Sequence, residues 1–270
     1  MRQIRMYIDG YNFYYSIKQK YHLDRVKVGQ ESWIGLGWCD FRRLGEHMID
    51  HGAEQITDIK YFTARVEKDY PSHAGERQRQ QDWLSAVGTI NGLRCIMGYL
   101  SRPRSRSSVD GTSAVNDVTK LKPSRKEHHT DVNIAVEILL DALDPKGYQK
   151  AILVTGDTDL APAVYAVQKG MVSRGLIRSA KTVDVWSPPG VSNKGWRKYF
   201  EKHSCRVRIE TITESMLAES LLPYSKPQVY DCPAGWRLPQ AYLEEHVPDG
   251  LRPDIVRSEK SAARRAGGEQ

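Results

Sequence analysis

Two short apolar runs, each ending at an aspartate, constrain this chain more than any other feature. Residues Gln3 to Ile8 (QIRMYI) stop at Asp9-Gly10, and Lys150 to Thr155 (KAILVT) run directly into Gly156-Asp157-Thr158-Asp159. Both are too short for a typical helix and too continuously apolar for a strand with one face in water. They read as strands buried on both faces. The spacing predicts further strands at Ile56–Val66, Leu93–Leu100, Thr182–Trp186 and Val207–Glu210.

Helical patterns fall between these strands. Phe13, Ile17 and Tyr21 recur at helical spacing after the first strand, across Tyr11–Lys20. A Gly- and Trp-containing loop follows over residues 24–40. Asp40 is the expected N-cap of a helix running to His51, with Leu44, Met48 and Ile49 on one face and Gly52 closing it. Further helices are predicted at Glu76–Ile90, Pro162–Lys169, Trp196–His203 and Thr213–Leu222. Over Asp131–Leu143 the inward stripe is expected to be Val132, Ala135, Val136, Leu139 and Leu143. Strands alternating with helices in this way imply a mainly parallel sheet covered on both faces, an α/β fold. After Pro223 the periodicity fades. The expected organisation is therefore one domain over 1–222 and a short irregular C-terminal extension over 223–270, its last part disordered.

Composition removes several function classes. No apolar run approaches the roughly 18 residues that read as a membrane span. The first residues, MRQIRMYIDG, have no apolar core of a secretion signal, so a cytoplasmic location is expected. The four cysteines (Cys39, Cys95, Cys205, Cys232) are scattered without a C-x-x-C pair, which argues against a disulfide framework or a structural zinc. Forty Lys and Arg against thirty-three Asp and Glu leave a net +7, a balance that favours polyanion partners. The excess is concentrated in residues 101–130, a basic insertion where Arg102, Arg104, Arg106, Lys120, Lys122, Arg125 and Lys126 face only Asp110, Asp117 and Glu127.

In an open parallel sheet, ligands bind beyond the carboxyl ends of the strands, where the strand order reverses. Asp9, Asp157 and Asp159 fall at such ends, and Asp131 opens the helix leading into the second apolar strand. If the two strands are neighbours, their ends lie about 5 Å apart. Two carboxylates at that distance repel by roughly 3 kcal/mol at an effective dielectric of 20. Protonation relieves such crowding, and so does a hard divalent cation such as Mg²⁺ or Mn²⁺ held by oxygen ligands. Each aspartate taken alone also reads as a turn or helix-cap residue. Asn12 reads either as a cap or as a group orienting the site, and Thr155 is placed to donate its hydroxyl to a carboxylate.

Three ordered motifs carry a resemblance: MYIDGYNFYY over 6–15, Lys126 followed by Asp131 in DVNIAVEILLDA, and VTGDTDLAP over 154–162. Together they resemble the NYN domain, of the PIN-like nuclease superfamily. The resemblance covers roughly residues 1–210. It implies a three-layer α/β/α fold and a Mg²⁺- or Mn²⁺-dependent ribonuclease centre built on Asp9, Asp131, Asp157 and Asp159, with Asn12 beside them. Where the family often has Asp six residues after the Asp131 position this chain has Glu137, a secondary acidic candidate; its aromatic after the last acid is Leu160 here.

The implied activity is in-line hydrolysis of RNA phosphodiester bonds by an endoribonuclease. Asp9, Asp157 and Asp131 would hold the metal, and Asp159 would complete its shell or orient the nucleophile. A carboxylate cluster repels phosphate, so substrate approach needs cations; Arg102, Arg104, Arg106, Lys122, Arg125 and Lys126 are the expected backbone contacts. His128 and His129 are placed to contact phosphate or protonate a leaving group. Tyr11, Tyr14 and Tyr15 read as base-stacking or core residues, as do Trp33 and Trp38. A homo-oligomer is compatible with the sequence. Two alternatives remain: a non-catalytic RNA-binding module, against which the intact acidic set speaks, and a haloacid-dehalogenase-like phosphatase, which needs an acid where Tyr11 stands.

Overall fold

The computed structural model describes residues 1–66, 75–100, 127–178 and 181–253. The six expected phosphate contacts Arg102, Arg104, Arg106, Lys122, Arg125 and Lys126 lie outside the described residues, as does the tail from 254.

One sheet organises the chain. Its strands are β1 (Arg2–Asp9), β2 (Glu54–Ala64), β3 (Leu93–Leu100), β4 (Glu127–His128), β5 (Lys150–Val154), β6 (Thr182–Ser187) and β7 (Ile209–Thr211). In space they run β4-β3-β2-β1-β5-β6-β7. Every neighbouring pair is parallel except the short antiparallel pair of β3 with β4. The central strands are largely apolar because each face meets its own core, and the cations they carry on their faces, Arg5, Lys60 and Lys150, are ion-paired. Ile4, Met6 and Ile8 of β1, with Ile152 and Val154 of β5, enter one core; Tyr7, Ala151 and Leu153 enter the other.

The helices divide between those cores. On the first face lie α1 (Gly10–Lys18), which passes through a π-helical turn into α2 (Asp24–Lys27), then α3 (Phe41–Glu46) and α4 (Glu76–Val87). Their contributions include Phe13, Ile17, Phe41, Leu44, Trp83 and Val87. On the second face, α5 (Thr130–Leu143), α6 (Ala161–Tyr165), α7 (Met171–Ser173) and α8 (Lys194–Lys202) supply Ile134, Ile138, Val164, Met171, Trp196 and Phe200. The result is the expected three-layer α/β/α fold of PIN-like type. Among the described residues no helix is long and apolar enough to cross a membrane.

Several elements differ from the sequence reading. The helix capped by Asp40 ends at Glu46, because Asp50 and Glu54 form a tight turn that feeds β2: Glu54 N–H donates to Asp50 O and Asp50 N–H to Glu54 Oε2. The helix predicted over 162–169 continues past Gly170 through a π-helical turn into α7. Of the stripe expected to be buried on α5, Val132, Val136 and Leu143 are exposed while Ala135 and Leu139 are half-buried; the apolar residues the helix buries fully are Ile134, Ile138 and Ala142. The end of the predicted 101–130 loop is ordered as β4 and the start of α5. α9 (Glu214–Ala218) precedes Pro223, and beyond it come a hairpin of β8 (Ser225–Lys226) with β9 (Tyr230–Asp231) and then α10 (Gln240–His246). Tyr224, Tyr230, Leu238, Tyr242 and Leu243 from this stretch pack into the first core.

Candidate functional site

β1 sits between β2 and β5, and the chain winds outward in both directions from that pair. The strand order therefore reverses between β1 and β5, which opens a crevice at their carboxyl ends. The register pairs Ile8 with Val154, so Asp9 and the 155–159 turn emerge side by side.

Hydrogen bonds fix how they emerge. Asp9 caps α1 with extended backbone, and its Oδ1 accepts from Asn12 N–H at 3.0 Å. Its Oδ2 accepts from the Thr155 hydroxyl at 2.8 Å. Thr155 Oγ1 in turn accepts from Asp157 N–H at 3.0 Å, and Asp157 Oδ1 accepts from Asp159 N–H at 2.9 Å. Asn12 spans the two loops by accepting from Gly156 N–H at 2.7 Å. The capping roles offered for Asp9 and Asp157 are present, whereas Asn12 lies inside α1 and bridges to Gly156 instead of capping, and neither Asp131 nor Asp159 caps a helix. The two caps are what orient Asp9 and Asp157.

Asp9, Asp131 and Asp157 line one cleft of about 970 Å³, together with Asn12. Asp9 is 3% exposed. Burial pushes its carboxyl up to about 6; the hydrogen bonds from Asn12 and Thr155 pull the other way, and the charges of Asp131 and Asp157 push it further up. Asp131 is also raised, by partial burial and then by Asp157 and Asp159. These acids act on one another electrostatically, as crowded carboxylates do.

The donor set suits a hard divalent cation: all oxygen, negative, and mutually repelling without one. Each Asp9 oxygen accepts one described hydrogen bond and keeps a further lone pair. Among the described residues, however, no three Asp, Glu, His or Cys side chains stand close enough to close around an ion. The donor chemistry and the electrostatics fit Mg²⁺ or Mn²⁺, whereas a closed cage is not formed by these side-chain positions.

The NYN domain family model matches residues 3–185, from β1 into β6. This chain belongs to the NYN domain family. That family lies in the PIN-like nuclease superfamily, is generally associated with RNA and generally uses divalent metals. Among curated proteins the chain is similar to 6-hydroxy-3-succinoylpyridine 3-monooxygenase HspA of Pseudomonas putida (strain DSM 28022 / S16), at 24% identity over 185 residues. That alignment covers 61% of this chain and 55% of the relative, so the chain spans only about half of that protein. No solved structure gives a significant match.

In this NYN domain Asp159 is exposed on the rim and does not line the cleft, although its charge reaches Asp131. Glu137, the secondary candidate, belongs elsewhere: its carboxylate pairs with Lys60 Nζ at 2.6 Å. Lys60 is fully buried and also pairs with Asp141, which accepts from the Tyr7 hydroxyl and bridges Arg5 at 2.7 Å. Glu137 is thus held by a buried ion network under α5. His129 precedes α5 with φ 72, a left-handed conformation uncommon outside glycine, and its side chain is exposed. The side chain of His128 lies outside the described residues. Trp38 is core, donating from Nε1 to Pro223 O at 3.0 Å. Trp33 packs on Tyr242 with the Arg25 guanidinium over its ring.

Sequence reasoning missed the cations already in the cleft. Lys18 and Lys20 line it, as does the 189–191 loop after β6. The signal was available: a helix that starts at Asp9 and lies along a cleft presents its later turns to the same ligand.

Proposed function

We propose that this NYN domain is a Mg²⁺- or Mn²⁺-dependent endoribonuclease that hydrolyses RNA phosphodiester bonds. The observation that carries the reading is the convergence of Asp9, Asp131 and Asp157 on one cleft that also holds Lys18 and Lys20. A binder of phosphate gains nothing from clustered negative charge, whereas a hydrolase that recruits a divalent cation does.

Asp9, Asp131 and Asp157 would hold the metal, with Asp159 on the rim. A bound divalent ion supplies polarisation of the phosphoryl oxygens and a lowered pKa for water. The chain's own residues do the rest. Thr155 and Asn12 lock Asp9 and the 156–159 turn in place, so little reorganisation is needed at the moment of reaction. Lys18 and Lys20 offset the repulsion between the acids and an approaching phosphate. The basic residues from Arg102 to Lys126 precede α5 in sequence and would hold the RNA backbone to either side.

A second reading comes from the relative named as a hydroxypyridine monooxygenase. It is favoured by an aromatic chamber beside the cleft, against whose rings a single aromatic ring would pack. One experiment separates the readings. Structured and single-stranded RNA are incubated with Mg²⁺, Mn²⁺ or EDTA, beside Asp157→Asn. Cleavage that needs the metal and is lost in the variant is expected. RNA bound but never cut would make the domain a binding module. Consumption of 6-hydroxy-3-succinoylpyridine in a parallel incubation with O₂ and a two-electron reductant, without RNA cleavage, would favour the second reading.

A further inference from the structure

A second chamber adjoins the acidic cleft, and its walls are rings. Tyr14 and Trp236 lie nearly parallel, 9° apart with centroids at 5.6 Å, and both are only half-buried. Trp83 stands beside Trp236 at 6.2 Å and is fixed by donating from Nε1 to the Tyr61 hydroxyl at 2.9 Å. The chamber has a volume of about 120 Å³, close to the roughly 150 Å³ of an apolar cavity that takes one benzene ring. It is somewhat smaller than that cavity, so a flat ring would lie against its aromatic wall with one edge outside.

Its position gives that ring an address. Tyr11, Tyr15 and Lys18 line both the chamber and the acidic cleft, so the two spaces share a wall. Lys18 Nζ lies 5.8 Å from the centroid of the Tyr14 ring, which places a cation at the junction. A ring in the chamber, a cation at its mouth and carboxylates beyond match, in order, a base, its phosphate and the point of hydrolysis. Bases stack on aromatic side chains without needing a particular sequence, and Trp and Tyr are the usual platforms.

We propose that this chamber is a nucleobase subsite: one unstacked base of single-stranded RNA packs against Tyr14 and Trp236 while Lys18 holds the adjoining phosphate beside the acidic cleft. The inference rests on the RNA-hydrolysis reading and deepens it, since it makes the substrate single-stranded at the cut and independent of strict sequence. Trp236 comes from the segment after β9, outside residues 3–185 matched by the family, so this wall is supplied by the chain's own C-terminal part.

The test uses the 270-residue chain carrying Asp157→Asn, whose amide oxygen can still cap Asp159 N–H and which is expected not to cut, and short single-stranded RNAs with one abasic sugar placed at each position in turn. Fluorescence anisotropy should find one position where loss of the base weakens binding about tenfold. That penalty should disappear in Trp236→Ala and return in Trp236→Phe. Tyr15→Ala, at a ring 53% exposed, guards against a simple folding loss and should weaken binding of the intact RNA. If the wild type cleaves RNA but the abasic penalty is equal at every position, or persists in Trp236→Ala, the chamber is no base subsite and hydrolysis stands. If the wild type neither binds nor cleaves RNA, both readings fall together. Quenching of tryptophan fluorescence by free 6-hydroxy-3-succinoylpyridine, undisturbed by RNA, would also overturn the proposal.

Discussion

The Thr155 hydroxyl donates to Asp9 Oδ2 across the ends of β1 and β5, and the same oxygen accepts Asp157 N–H. One buried side chain thus couples two acids contributed by different strands. Thr155→Val keeps the shape and removes both bonds. Leaving buried polar groups unpaired costs about 1–3 kcal/mol, which chemical denaturation would read. Asp9 also loses a donor that lowers its pKa, so its ionisation should move above about 6 and the pH profile of RNA cleavage should shift alkaline. Thr155→Ser should restore both. An unchanged profile in Thr155→Val would show that Asp9 ionisation does not limit the reaction.

Asp9 makes stability depend on pH in a direction opposite to most carboxylates. Its folded value is about 6 against an ordinary 3.8. Between those values the folded state holds a proton that the unfolded state has lost. Stability therefore falls as pH rises through this window and stays lower above it, by about 3 kcal/mol for a shift of this size. Asp9→Asn should remove that slope and melt higher than wild type at pH 7.5, as measured by thermal denaturation in EDTA. Adding Mg²⁺ should raise the wild-type melting temperature at pH 7.5 and have little effect at pH 4.5, where the carboxyl is neutral. Equal effects at both pH values would place the ion elsewhere.

The crevice was legible in the sequence because parallel strands buried on both faces are largely apolar runs, and such runs stop abruptly where the backbone reaches the sheet edge. Asp9 and Asp157 mark those stops. The orientation of α5 was not legible, because this helix is apolar on two sides. Val132, Val136 and Leu143 form one stripe, and Ile134, Ile138 and Ala142 another. Lys60, fully buried on β2, needs Glu137 and Asp141 as partners, and turning those carboxylates toward the sheet carries the second stripe inward. Such a choice depends on a partner distant in sequence, and periodicity cannot register it. Trp236 escaped notice for a related reason: it sits in a one-turn helix between prolines, too short to have a period.

The same ion network sets Glu137 and Asp141 apart from the acids proposed to act in hydrolysis. Lys60→Ala removes the cation between two buried or half-buried carboxylates and should cost about 3–5 kcal/mol. Glu137→Gln should cost less, since Lys60 keeps Asp141, and should leave RNA cleavage per folded molecule unchanged. Asp131→Asn should do the reverse. It should abolish cleavage while stability at neutral pH holds or rises, because a carboxyl raised by partial burial and by its acidic neighbours no longer ionises there. Urea titration and initial cleavage rates on the two variants give the comparison. Loss of cleavage in Glu137→Gln at normal stability would return that residue to the acidic site.

Gly156 is the point where the acidic turn meets the loop after β6. A Cβ there would overlap the Val191 side chain, while the Gly156 N–H is already committed to Asn12 Oδ1 at 2.7 Å. Neither contact yields freely, because Val191 lines the cleft and Asn12 is anchored through its own N–H on Asp9. Gly156→Ala should therefore displace the turn that aims Asp157, at a stability cost of about 1–3 kcal/mol typical of an overfilled site. Cleavage should drop more than stability, since the proposed mechanism needs the acids to keep their spacing around a cation. Shortening the obstacle tests the cause: Val191→Ala, added to Gly156→Ala, should recover most of the stability and part of the cleavage, giving a non-additive pair. Strict additivity would mean that Gly156 is required for a reason other than this contact.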